Sequence, residues 1–306
     1  MLEDDLDPPD EPTPILLARP TSSSAVTLAL HHLAGGAEDP TLVLIAHATG
    51  FHGRAYLPLA HALGGCEVVA PDLRGHGDAT SPEPLEYSWS GFGDDILSIL
   101  ETISALGLLR DGRRLVGFGH SMGGACLLMA EQRRPGSFAA LYCFEPIVFP
   151  TPGAEIPESP MVERARRRRS EFPSLQAAYD NFAAKPPLSS LHPDALRAYV
   201  RHGFATSADA TVRLKCRGDD EAEIYRMSTV HRTFERLTEV ACPVVVAHGS
   251  RSASAAAAFA EPLARHLGSG SIEAFPELGH FGPLEDPERV ARSVARLLTE
   301  LPKPPA

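Results

Sequence analysis

Leu115-Val116-Gly117-Phe118-Gly119-His120-Ser121-Met122-Gly123-Gly124-Ala125 decides how this chain is read. The apolar run Leu115 to Phe118 is of strand type, and a helical stretch extends from Ala125 to Arg134. Between them, Gly119-His120-Ser121-Met122-Gly123 fits Gly-x-Ser-x-Gly, the pattern of a nucleophile elbow: a turn so sharp that only small residues fit beside the serine, which it lifts out of the sheet. Ser121 is the candidate nucleophile. The new helix would aim its free N–H groups and positive dipole end at an anion developing there. Taken alone, these residues also fit a glycine-rich helix start capped by a serine. The order of the surrounding elements separates the two readings.

Upstream, Thr41-Leu42-Val43-Leu44-Ile45-Ala46 is the continuous apolar run expected of a parallel strand covered on both faces. It ends in His47-Ala48-Thr49-Gly50-Phe51-His52-Gly53. A helix with Tyr56, Leu59, Ala60 and Leu63 on one face follows, and the strand Glu67 to Pro71 then leads into Asp72-Leu73-Arg74-Gly75-His76-Gly77. Ahead of these, Ile15 to Ala18 and Ala25 to Leu30 read as antiparallel strands joined by a polar turn at Thr21 to Ser24. Ser90 is placed to cap a helix carrying Ile96, Leu97, Leu100 and Ile103.

Downstream, Ala139 to Phe144 is a sixth strand, ended by Glu145-Pro146. From about 147 to 236 the alternation stops, and helical segments around 163–171, 175–184 and 193–202 stand among Pro, Arg and polar residues. The pattern resumes with Cys242 to Gly249, a helix over about 255–267, the strand Ser271 to Phe275, and a helix begun by Asp286-Pro287. That last helix carries the stripe Val290, Val294, Leu297, Leu298 and Leu301. This order predicts a mostly parallel sheet with helices on both faces and an active site at the carboxyl ends of its strands. The expected divisions are an acidic disordered tail over 1–12, a core over 13–146 and 237–302, and a helical cap over 147–236.

With 306 residues, 43% of them hydrophobic and 22% charged, the chain can bury one large core with an insertion. A net charge of −11 argues against a nucleic-acid backbone as partner. No apolar run approaches the ~20 residues that span a bilayer, and Met1-Leu2-Glu3-Asp4-Asp5 is acidic where a secretory signal would be basic. A cytoplasmic protein without membrane contact is expected. Cys66, Cys126, Cys143, Cys216 and Cys242 are scattered, and no histidine stands in an H-x-H or H-E-x-x-H pattern, so neither disulfides nor a metal centre are expected. The expected partner is a small-molecule acyl substrate. Nothing in the sequence specifies an oligomeric state.

From about residue 13 to 301 the chain resembles the α/β-hydrolase superfamily, in the branch with a helical cap inserted after the sixth strand. Four segments carry the resemblance in the right order: His47-Ala48-Thr49-Gly50, Asp72-Leu73-Arg74-Gly75-His76-Gly77, Gly119-His120-Ser121-Met122-Gly123 and Gly279-His280-Phe281. It implies the α/β-hydrolase fold and a serine activated by a histidine, here His280 in the loop between the last strand and the last helix. Many members place the triad acid after the seventh strand, but Gly249-Ser250-Arg251-Ser252-Ala253-Ser254 offers no carboxylate. Glu145, ending the sixth strand, is the replacement, because the superfamily also places the acid there, for instance in haloalkane dehalogenases; Glu277 is the fallback. The resemblance implies an oxyanion hole from the backbone N–H groups of Met122 and Thr49. Members usually carry glycine where this chain has Ala48.

The implied function is cofactor-free hydrolysis of a carboxylic ester, lactone or related acyl bond. Thioesters, C–C bonds, perhydrolase-like chemistry and a ligand-binding pseudoenzyme are the alternatives. Haloalkane and epoxide chemistry would need an aspartate at Ser121. Two features stay open at this level. Arg164, Arg166, Arg167, Arg168 and Arg169 read as a solvated helix face or as a recognition site for an anionic substrate. Tyr179, Phe182, Leu188 and Leu191 either line a pocket or pack the cap onto the core.

Overall fold

The computed structural model describes residues 15–36, 40–81, 87–109, 112–150, 159–208 and 210–302. The tail over 1–12 and residues 151–158 of the expected cap lie outside them. In chain order the strands are β1 (Ile15–Ala18), β2 (Ala29–Ala34), β3 (Thr41–Ala46), β4 (Glu67–Asp72), β5 (Arg114–His120) and β6 (Ala140–Phe144), then β7 (Glu171–Phe172), β8 (Phe204–Thr206) and β9 (Val212–Leu214), then β10 (Val244–Gly249) and β11 (Gly270–Phe275). Eight of them form one sheet in the order β1-β2-β4-β3-β5-β6-β10-β11. β2 runs antiparallel to β1 and β4, and every pairing from β4 across to β11 is parallel. This is the α/β-hydrolase fold.

The helices are α1 (Leu57–Ala62), α2 (Trp89–Ala105), α3 (Met122–Arg133), α4 (Pro160–Arg167), α5 (Leu175–Ala183), α6 (Pro193–Gly203), α7 (Gly218–Arg226), α8 (Ala255–Ala258), α9 (Ala260–His266), α10 (Gly282–Glu285) and α11 (Pro287–Glu300). Alternate residues of β3 feed two cores: Val43 and Ile45 pack with residues of α1 and α11, and Leu42 and Leu44 with residues of α2, α3 and α9. Coverage on both faces explains why all of β3 and β6 is buried and reads as unbroken apolar sequence. Val290, Val294, Leu297 and Leu298 are the buried stripe of α11, each worth about 1.5–3 kcal/mol in removed apolar surface. Its N-terminus is capped by Asp286, which accepts from the Arg289 amide at 3.0 Å.

Several elements differ from the sequence reading, among them the helix expected around 163–171, which runs over Pro160–Arg167 and gives way to β7 at Glu171. The second strand begins at Ala29 rather than Ala25, because the backbone at Ala25 turns to φ +56° and Ser23–Ala25 form a 3-10 turn. The residue before α2 is Ser88, and Ser90 lies inside the helix, its hydroxyl 2.6 Å from that of Ser88. The helix expected over 255–267 is divided at Phe259 into α8 and α9. The segment between β6 and β10 is not purely helical: β7, β9 and β8 make a small antiparallel sheet, and α7 is a helix the sequence reading lacked. Strands of two or three residues are too short to show a period of two.

Two buried carboxylates hold the loops at the carboxyl end of the sheet. Asp72, ending β4, accepts from the Gly53 amide at 2.8 Å, the Asp78 amide at 2.8 Å and His31 Nε2 at 3.0 Å. Asp95 of α2 receives Arg74 Nε at 2.9 Å and Nη2 at 2.6 Å, a buried two-pronged pair.

Candidate active site

Ser121 stands between β5 and α3 with φ +54° and is 5% exposed. The turn closes because α3 begins almost in contact with the end of β3: a Cβ on Gly123 would lie 2.0 Å from the Ala46 carbonyl oxygen. Glu145 follows β6 with φ +44° and is fully buried. Two L-residues other than glycine in the left-handed region store about 1–3 kcal/mol of strain each, and such strain clusters at functional sites.

His280 joins them. Its Nε2 lies 3.2 Å from Ser121 Oγ and its Nδ1 lies 2.6 Å from Glu145 Oε2. The Glu145 carboxylate also accepts from the Gly249 amide at 3.0 Å and from the Ser252 hydroxyl at 2.8 Å. Gly249 is required there, since a Cβ would lie 2.3 Å from the Leu278 carbonyl oxygen in the loop that carries His280. The fallback acid, Glu277, is 56% exposed and pairs with Arg251 instead. Ser252, in the stretch that offers no carboxylate, is thus a donor to the carboxylate that follows the neighbouring strand. An imidazole held this way can take a proton from the serine as it attacks, with the carboxylate stabilising the resulting cation.

The loop after β3 has its amides partitioned. Ala48 N–H donates to the Tyr56 hydroxyl at 3.1 Å and Gly50 N–H donates to His76 Nε2 at 3.0 Å. Between them, the Thr49 amide has no acceptor among the described residues. The Met122 amide opens α3, where N–H groups have no partner within the helix. Alanine is tolerated at 48 because its φ is not positive.

A second chain of contacts connects this loop to His280. The Tyr56 hydroxyl lies 2.7 Å from His120 Nδ1, and His120 Nε2 lies 2.8 Å from the His280 carbonyl oxygen. A carbonyl only accepts, so Nε2 carries the proton and Nδ1 accepts from Tyr56. The sequence offered His120 only as part of the elbow motif and Tyr56 only as part of a helix face; neither signal named this link.

Burial keeps these histidines neutral. It pushes His47 and His52 down to about 4 and His76 to about 3, and lowers His120 far below the ordinary imidazole range. The unfolded chain takes up protons at these residues from about pH 6.5 downward, whereas the folded chain does not until the pH nears 4 or below. Their contribution is therefore complete above that range and is lost as the pH falls through it, at a cost on the order of 3 kcal/mol for each of His47 and His52. The urea midpoint should drop steeply between pH 7 and pH 4.5; a flat profile over that interval would contradict buried neutral imidazoles.

Beside the site lies a cavity of about 460 Å³, walled by Thr49, Phe51 and Phe281 on the sheet side and by Phe182, Leu188 and Tyr199 from the inserted segment. Of the four residues left open by the sequence, Phe182 and Leu188 line it, while Tyr179 and Leu191 pack into the core. All five cysteines are buried. Among the described residues no helix is long and apolar enough to cross a membrane.

A sequence model of the alpha/beta hydrolase family matches residues 42–293. Lipase LipV of Mycobacterium tuberculosis is 35% identical over 122 residues, 39% of this chain and 42% of that protein. Human monoglyceride lipase is 31% identical over 115 residues, 36% of each. The matched segments span less than half of those relatives. Among solved structures, the peroxisomal alpha-beta-hydrolase Lpx1 of Saccharomyces cerevisiae superposes with a TM-score of 0.72 at 18% identity, covering 93% of this chain and 86% of that one. E-2-(acetamidomethylene)succinate hydrolase superposes with a TM-score of 0.73 at 21% identity, covering 93% and 100%. At these identities the two structures speak for the fold alone.

Proposed function

Because the chain belongs to the alpha/beta hydrolase family, we propose that it is a serine hydrolase of carboxylic esters or related acyl bonds, with Ser121, His280 and Glu145 as its triad. The observation that carries this reading is the unbroken line from Ser121 Oγ through both ring nitrogens of His280 to Glu145, at 3.2 and 2.6 Å. Ser121 attacks the acyl carbon as His280 takes its proton; the oxyanion settles between the Thr49 and Met122 amides; His280 then protonates the leaving alcohol. A water deprotonated by His280 hydrolyses the acyl-enzyme in the second half. Each step is proton transfer or acyl transfer and uses no cofactor. Residues 147–236 serve as a cap, supported by the cavity they wall over Thr49 and Phe281. A cytoplasmic setting belongs to the same proposal, in keeping with five buried cysteines held as core residues.

A fluorophosphonate probe tests this directly. Stoichiometric modification of Ser121, mapped by mass spectrometry and accompanied by hydrolysis of 4-nitrophenyl acetate, is the expected result. A folded protein whose Ser121 stays unmodified would overturn the hydrolase reading in favour of ligand binding.

A further inference from the structure

The cavity beside the site is cationic in a chain whose net charge is −11. Arg164, Arg168, Arg169 and Lys185 line it, against the single acid Glu221. Glu221 is taken: it pairs with Arg168 and accepts from the Tyr225 hydroxyl at 3.2 Å. Arg168 gives its other amino group to the Tyr199 hydroxyl at 2.6 Å. The remaining three cations meet no acid among the described residues. Arg169 lies over the Phe172 ring at 4.3 Å and donates to the Glu171 carbonyl at 2.9 Å. Lys185 donates to the neutral Asn181 side chain at 2.9 Å.

Helix α4 and the residues just beyond it sort their arginines by direction. Arg166 and Arg167 lie off the cavity, and both pair with Glu163. Arg164 lines the cavity and has no acid partner among the described residues. Helix spacing puts Arg166 and Arg167 three and four residues beyond Glu163, within its reach, whereas Arg164 is left at the cavity rim with its charge uncompensated. Phe51, Phe182, Leu188 and Phe281 give it apolar wall beside the polar Thr49 and Asn181, so the space suits a short carbon chain ending in an anion.

We propose that this cavity is an anion subsite, and that the substrate is an ester carrying a free carboxylate or phosphate on its acyl chain. The anion is held by Arg164, Arg169 and Lys185 while the scissile carbonyl sits at Ser121. This rests on the hydrolase reading for the chemistry, but the charge recognition stands on the cavity. Exposed cations of this kind contribute about fivefold each, since solvent screens them, so that the three together give about a hundredfold.

The test compares mono-4-nitrophenyl glutarate with its methyl-capped neutral diester, and both with 4-nitrophenyl 4-phosphonobutanoate. The expected result is a kcat/KM about a hundredfold higher for the anionic esters in 50 mM salt, shrinking in 500 mM salt. Whichever anion shows the larger ratio identifies the group. Arg164→Gln and Lys185→Gln should each cut that ratio about fivefold, whereas Arg166→Gln and Arg167→Gln should leave it as it is. Equal turnover of charged and capped esters, or an equal loss of the ratio in Arg166→Gln, would overturn the subsite and leave the hydrolase reading standing. If no ester is turned over, calorimetric binding of the same compounds to the Ser121→Ala protein decides the matter. Tighter binding of the anionic ester keeps the subsite while the hydrolase reading falls; equal binding rejects it.

Discussion

Replacing Ser121 with alanine is expected to lower kcat for activated esters by about five to six orders of magnitude and to leave the protein folded. The size follows from the way such groups act as a unit: without the serine oxygen, His280 has no proton to take and Glu145 no imidazolium to stabilise. What survives is the binding and polarisation supplied by the Thr49 and Met122 amides, which in comparable arrays leaves roughly 10³-fold over water. Stability should change little. Alanine meets the same left-handed backbone at φ +54° as the serine does, and the lost hydroxyl contact is a partly exposed one. Thermal unfolding and burst-phase release of 4-nitrophenol check the two halves separately. Turnover within tenfold of the parent would displace Ser121 from its role, and a collapse of the melting temperature would make the elbow serine structural.

Glu145→Gln is the second large effect, a loss of about 10³ to 10⁴ in kcat with the fold retained. The Gly249 amide and the Ser252 hydroxyl both donate to this carboxylate, and His280 Nδ1 lies on the same oxygen as Ser252. A glutamine keeps one acceptor, but its NH₂ must face at least one of these donors, so the imidazole loses the partner that fixes its tautomer and stabilises its cation. The full burial of Glu145 makes the mismatch costly. Ser252 is near enough to offer a rescue: a carboxylate introduced by Ser252→Asp in the Glu145→Gln background should restore part of the rate, whereas Ser252→Ala alone should cost about tenfold by removing one donor. Acylation rates by stopped flow would resolve these steps. Near-normal acylation in Glu145→Gln would return the site to a serine–histidine pair.

Some of this protein is written in the chain itself. β3 and β6 are buried on both faces, so their sequences are continuous apolar runs that need no partner to be recognised. The elbow is equally local: a strand, a serine set among glycines, and a helix give Ser121 its place before any long-range contact is known. Set against the family resemblance, the absence of a carboxylate in Gly249 to Ser254 directed attention to Glu145.

Tertiary packing decided the rest, because it depends on which elements meet. Ser252 reads as a vacancy in one dimension and becomes a donor to Glu145 only when β6 and β10 lie side by side. Tyr56 and His120 are distant in sequence, and their link to the His280 carbonyl exists only once the loops after β3, β5 and β11 converge at one end of the sheet. β7, β8 and β9 are too short for periodicity to reveal, and their pairing is set by the surface they cover. The helical spacing of the arginines was visible from the start, but spacing carries no information about which face meets a cavity. That depends on the fold of the inserted segment, which sets Arg164 along the cavity and leaves Arg166 and Arg167 to Glu163.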